Sequence, residues 1–74
     1  MIYYRTNDAC YFQIDDTDTE NVVVVSVCIN EGMERIQISN SETVIPDGAK
    51  YSSVEFFLYH YRNTLYKISQ KISN

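Results

Sequence analysis

The chain contains few of the residues from which phosphate-binding and metal-binding sites are built. Its 74 residues include two glycines, Gly32 and Gly48, two cysteines, Cys10 and Cys28, and one histidine. A phosphate-binding loop needs several glycines close together, which these two cannot supply. The cysteines are too few and too far apart for a zinc-ligand pattern, so we interpret them as buried thiols. We therefore expect no cofactor and no metal ion.

Positive charge is also scarce. Six lysine and arginine residues against ten aspartate and glutamate residues give a formal net charge of −4. Nucleic acid and anionic membrane surfaces repel such a chain on average, so we expect neither as a partner. The cations Arg62, Lys67 and Lys71 lie near the C-terminus, where they complement the negative end of a helix dipole.

No apolar run reaches the ~20 residues that a membrane-spanning helix needs. The longest, VVVVSVCI at residues 22–29, is rich in β-branched residues and predicts a strand that is covered on both faces. The first residues, MIYYRTND, contain no basic leader followed by an apolar segment. We therefore expect no secretory signal and a cytoplasmic protein.

Turn residues divide the first two thirds of the chain into short segments rich in aromatic and β-branched residues, which predict strands. We place four strands and leave open a fifth: about 2–6, 9–14, 22–29, 34–39 and the optional 43–45. A two-residue loop at 31–32 places Val27 opposite Ile36 and Val25 opposite Ile38. The register of the first hairpin stays open, because one residue more or less in its loop decides which pair shares the face of Phe12 and Ile14: Ile2 with Tyr4, or Tyr3 with Arg5.

Residues from about 53 to 72 predict one helix. Its apolar residues recur at alternating four- and three-residue spacing on one face, with Phe57 at the edge: Val54, Leu58, Tyr61, Leu65, Ile68 and Ile72. At the start of the helix, Ser52 and Glu55 have the spacing of a capping box.

The predicted fold class is α+β, in one domain at residues 1–74: an antiparallel meander of four to five short strands with one C-terminal helix packed on one sheet face. We expect the apolar helix stripe to cover the sheet face that holds Phe12, Val25, Val27, Ile36 and Ile38. Truncation of Leu65 to alanine should then cost about 2 to 5 kcal/mol of stability.

The helix has a second aromatic face. At about 100° per residue, Phe56, Tyr59 and Tyr66 point away from the stripe alongside Asn63, and His60 falls beside them. Tyrosine gives a large contact area at low rotamer cost and concentrates at recognition surfaces. The candidate partner-binding residues are therefore Tyr59, His60, Asn63, Tyr66 and Phe56 on the helix, with Val22 and Val24 on the second sheet face.

Two other polar features are interpreted structurally. The acidic cluster at residues 15–20 lacks the glycine of a calcium-binding loop, because Asn21 occupies that position. We interpret it as a solvated hairpin loop. His60 has neither a nucleophile nor an orienting carboxylate that the sequence places within reach, so we expect no catalytic residues and no enzyme.

These patterns favour a small non-enzymatic protein-binding module, an inhibitor or adaptor of the type that phages and mobile elements encode. That comparison is an analogy of size and fold class, and the chain resembles no family that we recognise. Its partner is expected to be another protein, a second copy of the chain, or both, with a homodimer favoured. Two alternatives stay open: a small-ligand-binding or regulatory domain with a tyrosine-lined cleft, and a purely structural homo-oligomer.

Overall fold

Five antiparallel strands form one open sheet, and a single C-terminal helix packs against it. The computed structural model describes residues 1–73, and the side chains of residues 1–71. Its elements are β1 (Ile2–Thr6), β2 (Cys10–Asp15), β3 (Val23–Asn30), β4 (Met33–Ser39), a short 3-10 helix (Glu42–Val44), β5 (Lys50–Tyr51) and α1 (Val54–Ser73). The spatial order is β4-β3-β2-β1-β5. The predicted α+β fold is confirmed, and no helix within residues 1–73 is long and apolar enough to cross a membrane.

The fifth strand is not where the sequence placed it. The optional strand at residues 43–45 is wrong, because the Ser41 hydroxyl accepts a hydrogen bond from the Thr43 amide at 3.2 Å and caps a 3-10 turn there. The turn that follows closes with the Ala49 amide donating to the Pro46 carbonyl at 3.0 Å. The chain then returns beside β1, so that β5 is the edge strand next to it.

The register of the β3–β4 hairpin agrees with the prediction. Val25 lies opposite Ile38 and Val27 opposite Ile36. The loop residues have positive φ angles of 54° at Glu31 and 78° at Gly32, as a two-residue hairpin loop of the mirror-image type requires. The first hairpin, left open above, adopts the register in which Tyr3 faces Ile14 and Arg5 faces Phe12.

The sheet is covered on both faces. On the face that we name the loop face, Phe12, Ile14 and Val24 form a buried cluster with Ile45 and Ala49 from the segment before β5. On the opposite face, named the helix face, α1 lies over side chains that include Tyr4 and Tyr11.

Phe12 does not share the helix face with Val25 and Val27, as the sequence analysis expected. It lies opposite Ser26 and packs in the loop-face cluster. Alternate residues of a strand point to opposite faces, so the set that contains Phe12 and Val24 turns away from α1. Val25 and Val27 remain on the helix face with Ile36.

The buried stripe of α1 is rotated by about 60° from the predicted one, taking about 100° per residue. The residues buried beneath the helix are Phe57, 2% exposed, and Thr64, 1% exposed, whereas Val54 and Leu65 are exposed. The side chain of Ile72, predicted in the same stripe, lies outside the described residues. Hydrophobic spacing alone overlooked Thr64 because threonine does not count as an apolar residue in such a pattern.

The contacts of α1 with the sheet account for this rotation. The Phe57 ring lies 5.4 Å from that of Tyr4, and the Phe56 ring lies 5.4 Å from that of Tyr11. Farther along the helix, Lys67 pairs with a glutamate of β4. Taking about 100° per residue, Phe56 and Lys67 lie on the side of α1 opposite Leu65, and Phe57 lies about 80° from Leu65. These contacts therefore turn the helix so that Leu65 moves away from the sheet.

The helix begins one residue later than the capping pattern indicated. Ser53, rather than Ser52, accepts a hydrogen bond at its hydroxyl from the Phe56 amide, at 3.1 Å. The Ser52 amide instead donates to the Tyr4 carbonyl at 2.9 Å, which extends the pairing of β5 with β1. The Ser52 backbone therefore bonds to β1 just beyond the end of β5, and Ser53 takes the capping position that the sequence assigned to Ser52.

The two cysteines form a disulfide bond, so their interpretation as free thiols is wrong. Cys10 and Cys28 lie directly opposite each other on β2 and β3, with their Cα atoms 4.1 Å apart. The pairing of the two strands brings together residues that are 18 positions apart in the chain.

Candidate functional site

The aromatic residues of the first two turns of α1 form a connected ring cluster with a residue of the sheet. The imidazole of His60 stacks on the Tyr11 ring, with centroids 3.8 Å apart. Phe56 contacts both rings edge-on, at 5.4 Å from Tyr11 and 4.8 Å from His60. Tyr59 adds an edge-on contact with His60 at 5.2 Å. We name Tyr11, Phe56, Tyr59 and His60 the ring cluster.

Burial lowers the pKa of His60 below its ordinary value of 6.5. The rings in contact with it carry no charge that would hold a proton on the imidazole. His60 is therefore a neutral packing residue at neutral pH. The side chains that contact His60 are the rings of Tyr11, Phe56 and Tyr59, and none of them is a carboxylate that would orient the imidazole for acid–base chemistry.

Beyond the ring cluster, exposed residues continue along the outer surface of α1. Tyr59 is 65% exposed and Tyr66 is 67% exposed. Asn63, also exposed, lies between them. At about 100° per residue the three share one side of the helix. We name Tyr59, Asn63 and Tyr66 the tyrosine face.

Ion pairs fix the second half of α1 to the sheet. Glu34 of β4 binds Lys67 through one carboxylate oxygen at 3.2 Å and Lys71 through the other at 3.5 Å. The hydrogen bond from Lys67 lowers the pKa of Glu34, and the charges of both lysines act in the same direction. The helix is thus held near both ends, by the ring cluster and by this carboxylate, and it presents the tyrosine face on a rigid support.

The charge of the helix surface is opposite in sign to that of the whole chain. α1 carries Arg62, Lys67 and Lys71 and a single carboxylate, Glu55. Within residues 1–73, Arg62 forms no ion pair. A cation without a partner therefore lies beside the tyrosine face.

The structure brings together five of the predicted partner-binding residues and separates two. Phe56, Tyr59, His60, Asn63 and Tyr66 lie on connected parts of α1. Val24 is 0% exposed within the loop-face cluster, and Val22 packs against the same cluster. Val24 is therefore a core residue of the protomer and cannot contact a partner, whereas Val22 is only partly buried and its predicted role stays a prediction.

Tyr11 is the site residue that sequence reasoning missed. It lies within the predicted strand 9–14, and its position opposite Val27 on the helix face places it under the first turns of α1. The signal that was available is the register of β2 against β3, which puts Tyr11 on the same face as Val27 once Cys10 and Cys28 are taken as paired.

The acidic loop after β2 binds its own backbone. Hydrogen bonds from the side chain and amide of Thr17 lower the pKa of Asp15. Those from the Asn21 side chain and the Glu20 amide lower the pKa of Asp18. Within residues 1–73, no group of three His, Cys, Asp or Glu side chains is placed to hold a metal ion.

Four shallow concavities of about 370 to 450 Å³ lie on the surface. The largest is lined by the acidic loop and residues 40–43, and the others lie beside the disulfide, beside the β1–β2 turn, and on the outside of α1. Of these four, only the one on α1 is lined by a tyrosine, Tyr59. None of the four is a cleft between helix and sheet.

Comparison of the chain with protein-family models, with curated proteins and with solved structures finds no match.

Proposed function

We propose that this protein is a non-enzymatic protein-binding module that docks through the tyrosine face of α1. The observation that carries the proposal is the pair of tyrosines at positions 59 and 66, each about two thirds exposed, on a helix whose opposite side is fixed to the sheet. A rigid helix loses little conformational entropy on binding, so large exposed rings on it contribute efficiently to affinity.

The partner that fits this surface is a folded protein with an apolar groove flanked by carboxylates. The rings of Tyr59 and Tyr66 require apolar cover, and an amphipathic helix lies with such residues in a groove. Arg62 is exposed beside them without an ion pair among residues 1–73, and it favours an acidic rim. An inhibitor or adaptor role, of the kind that phages and mobile elements encode, is consistent with the small size.

The alternative of a ligand-binding domain has weaker support, because the four concavities described above are shallow and the predicted cleft between helix and sheet is not among them. The alternative of a purely structural homo-oligomer stays a prediction, and docking of another protein through α1 does not exclude it.

The cytoplasmic location stays a prediction, and the disulfide between Cys10 and Cys28 argues against it. Disulfides persist in oxidising compartments and are rare in the cytosol. Alkylation of free thiols in intact cells would measure the redox state of the two cysteines. Labelled Cys10 and Cys28 would support a cytoplasmic location, and unlabelled cysteines would support an oxidising compartment.

Site-specific photocrosslinking tests the docking proposal. A benzophenone amino acid is placed at position 59, at position 66 and, as the matched control, at position 51, where another exposed tyrosine lies on β5. We expect an adduct with one protein species from positions 59 and 66 and none from position 51. Equal yields at all three positions would contradict the proposal.

Affinity for the purified crosslinked protein provides the second measurement. Replacement of Tyr59 and Tyr66 by alanine should raise Kd at least ~10-fold, as truncation of interface aromatic residues does. The control Tyr51→Ala should leave Kd unchanged. Wild-type affinity in the double variant, with its fold intact by circular dichroism, would overturn the proposal.

A further inference from the structure

We infer that the free edge of β4 pairs with β4 of a second copy of this chain, in an antiparallel register centred on Ile36. The proposal concerns a surface separate from the tyrosine face and does not depend on it. It rests on the backbone groups that this edge exposes, on the symmetry of the strand, and on an exposed isoleucine near its end.

The two edges of the sheet within residues 1–73 differ in length. The edge strand β5 has two residues, Lys50–Tyr51, whereas β4 has seven, Met33–Ser39. Proteins protect long free edges with proline, charged side chains or a bulge. β4 has no proline and no lysine, and it pairs with β3 without interruption from Val24↔Ser39 to Asn30↔Met33. Its inward-pointing charge, Glu34, is paired with Lys67 and Lys71 of the same copy. A long and regular edge is therefore available for strand pairing.

Three residues of β4 direct their backbone groups outward. In an antiparallel pair, opposed residues alternate between hydrogen-bonded and non-hydrogen-bonded positions. The Ile29 amide donates to the Ala9 carbonyl on the β2 side at 2.9 Å, so it points away from β4. Ile29 and the residue opposite it on β4, Glu34, therefore form a non-hydrogen-bonded position of the β3–β4 pair. By alternation, the N–H and C=O groups of Glu34, Ile36 and Ile38 all point to the free edge.

These outward groups are symmetric about the middle of the strand. Ile36 is the central residue of the seven, and the other two outward residues lie two positions to either side of it. A two-fold axis through Ile36 therefore aligns donors with acceptors over the whole strand. In this register no like charges are opposed, because Glu34 meets Ile38 of the second copy. Such self-complementarity is the requirement for a two-fold interface, and it selects a second copy as the occupant.

The same register covers an exposed apolar side chain. Ile38 is 71% exposed on the helix face, because α1 crosses β4 at its other end, over Glu34. In the dimer, Ile38 lies next to Glu34 of the second copy, beneath the aliphatic parts of Lys67 and Lys71 of that copy. Lysine side chains cover apolar surface in this way while their charged ends remain in water.

The resulting dimer has one continuous ten-stranded sheet with both helices on the same face, since the two-fold axis of an antiparallel strand pair is perpendicular to the sheet. Each copy keeps its tyrosine face exposed. Failure of the two proposals is therefore distinguishable: changes at Tyr59 and Tyr66 should leave the dimer intact, and changes at the β4 edge should leave the tyrosine face competent.

Light scattering with size-exclusion chromatography tests the pairing. The wild-type chain should have twice the protomer mass of 8.6 kDa at micromolar concentration. Ile38→Lys places a third ammonium group beside Lys67 and Lys71 of the second copy, at both ends of the interface, and should weaken dimerisation at least ~10-fold through like-charge repulsion. Val44→Lys adds the same charge at an exposed apolar residue of the 3-10 helix and should leave the dimer unchanged.

Amide hydrogen exchange on the wild-type protein tests the same pairing if the Ile38→Lys variant does not fold. The amides of Ile36 and Ile38 should be protected at concentrations where the dimer forms and should exchange rapidly after dilution. The amides of Arg35 and Gln37 bond to β3 and should be protected at both concentrations. A monomer at all micromolar concentrations, a dimer insensitive to Ile38→Lys, or unprotected Ile36 and Ile38 amides in a dimer would each overturn the proposal.

Discussion

The imidazole of His60 stacks on the Tyr11 phenol ring with the two planes only 8° apart. This contact joins the first half of α1 to the centre of the sheet, through a residue that sequence analysis placed on an interface and one that it placed on a hairpin. Protonation of the imidazole would put a charge between neutral rings in a half-buried position. The fold should therefore respond to pH through this pair.

Stability should fall as pH falls through 6.5, the ordinary pKa of histidine, because burial lowers the pKa of His60 in the folded chain. In the pH range between the folded and unfolded pKa values the unfolded chain binds more protons, so acidification favours unfolding. Glu34, Asp15 and Asp18 have lowered pKa values that start from 4.5 and 3.8, so their contributions are lost only at lower pH.

Urea denaturation at about pH 7 and about pH 5.5 measures this dependence. His60→Phe keeps a ring over Tyr11 and should remove most of the difference between the two pH values. An undiminished pH dependence in His60→Phe would show that another group is responsible.

Thr64→Val should stabilise the protein by about 1 kcal/mol. The Thr64 side chain is buried beneath α1, and its hydroxyl has no hydrogen-bond partner within residues 1–73. Valine has nearly the same shape and removes the cost of an unsatisfied buried polar group. Thr64→Ser, which retains the hydroxyl and loses the methyl group, is the control and should destabilise. Thermal melts of the three proteins give the order, and a destabilised Thr64→Val variant would refute the explanation.

Leu65→Ala should cost less than about 1 kcal/mol, whereas Phe57→Ala should cost about 3 to 5 kcal/mol. The larger cost that the sequence predicted for Leu65 assumed a buried side chain, but Leu65 is 41% exposed. Phe57 is buried and contacts the rings of Tyr4 and Tyr61. Denaturant midpoints of the two variants compare them directly, and similar losses would contradict the observed rotation of α1.

Loss of the disulfide should destabilise the protein by about 2 to 4 kcal/mol, because the bond closes a loop in the unfolded chain. The double variant with Cys10→Ala and Cys28→Ala measures this by chemical denaturation, and reduction of the wild-type protein provides an independent comparison. Two thiols that react in the native, unreduced protein would instead restore the interpretation of these residues as free cysteines.

The β3–β4 hairpin shows how much of this fold is local. The turn at Glu31 and Gly32 and the alternation of Ile36 and Ile38 lie within a few residues of each other, and both indicate the register that the structure contains. Agreement between two independent local signals makes such a register predictable. The first hairpin has no second local signal of this kind, so its register could not be predicted from the sequence.

The candidate site was predicted in part. The exposure of Tyr59 and Tyr66 was predictable from helical spacing, because both positions lie far from the predicted buried stripe and from the observed one. The burial of Val24 did not, since its cover comes from Ile45 and Ala49, in a segment that carries no strong periodic signal. For that reason Val24 is not available for the docking surface that was predicted on the second sheet face.

The sequence by itself determined the order and type of the main elements, because turn chemistry and apolar spacing act over a few residues. Only the tertiary structure decided the rotation of α1, the pairing of Cys10 with Cys28 and the stack of His60 on Tyr11. Each of these depends on which side chains meet across elements that are distant in the chain. The energy of such contacts cannot be predicted from the spacing of apolar residues along the sequence.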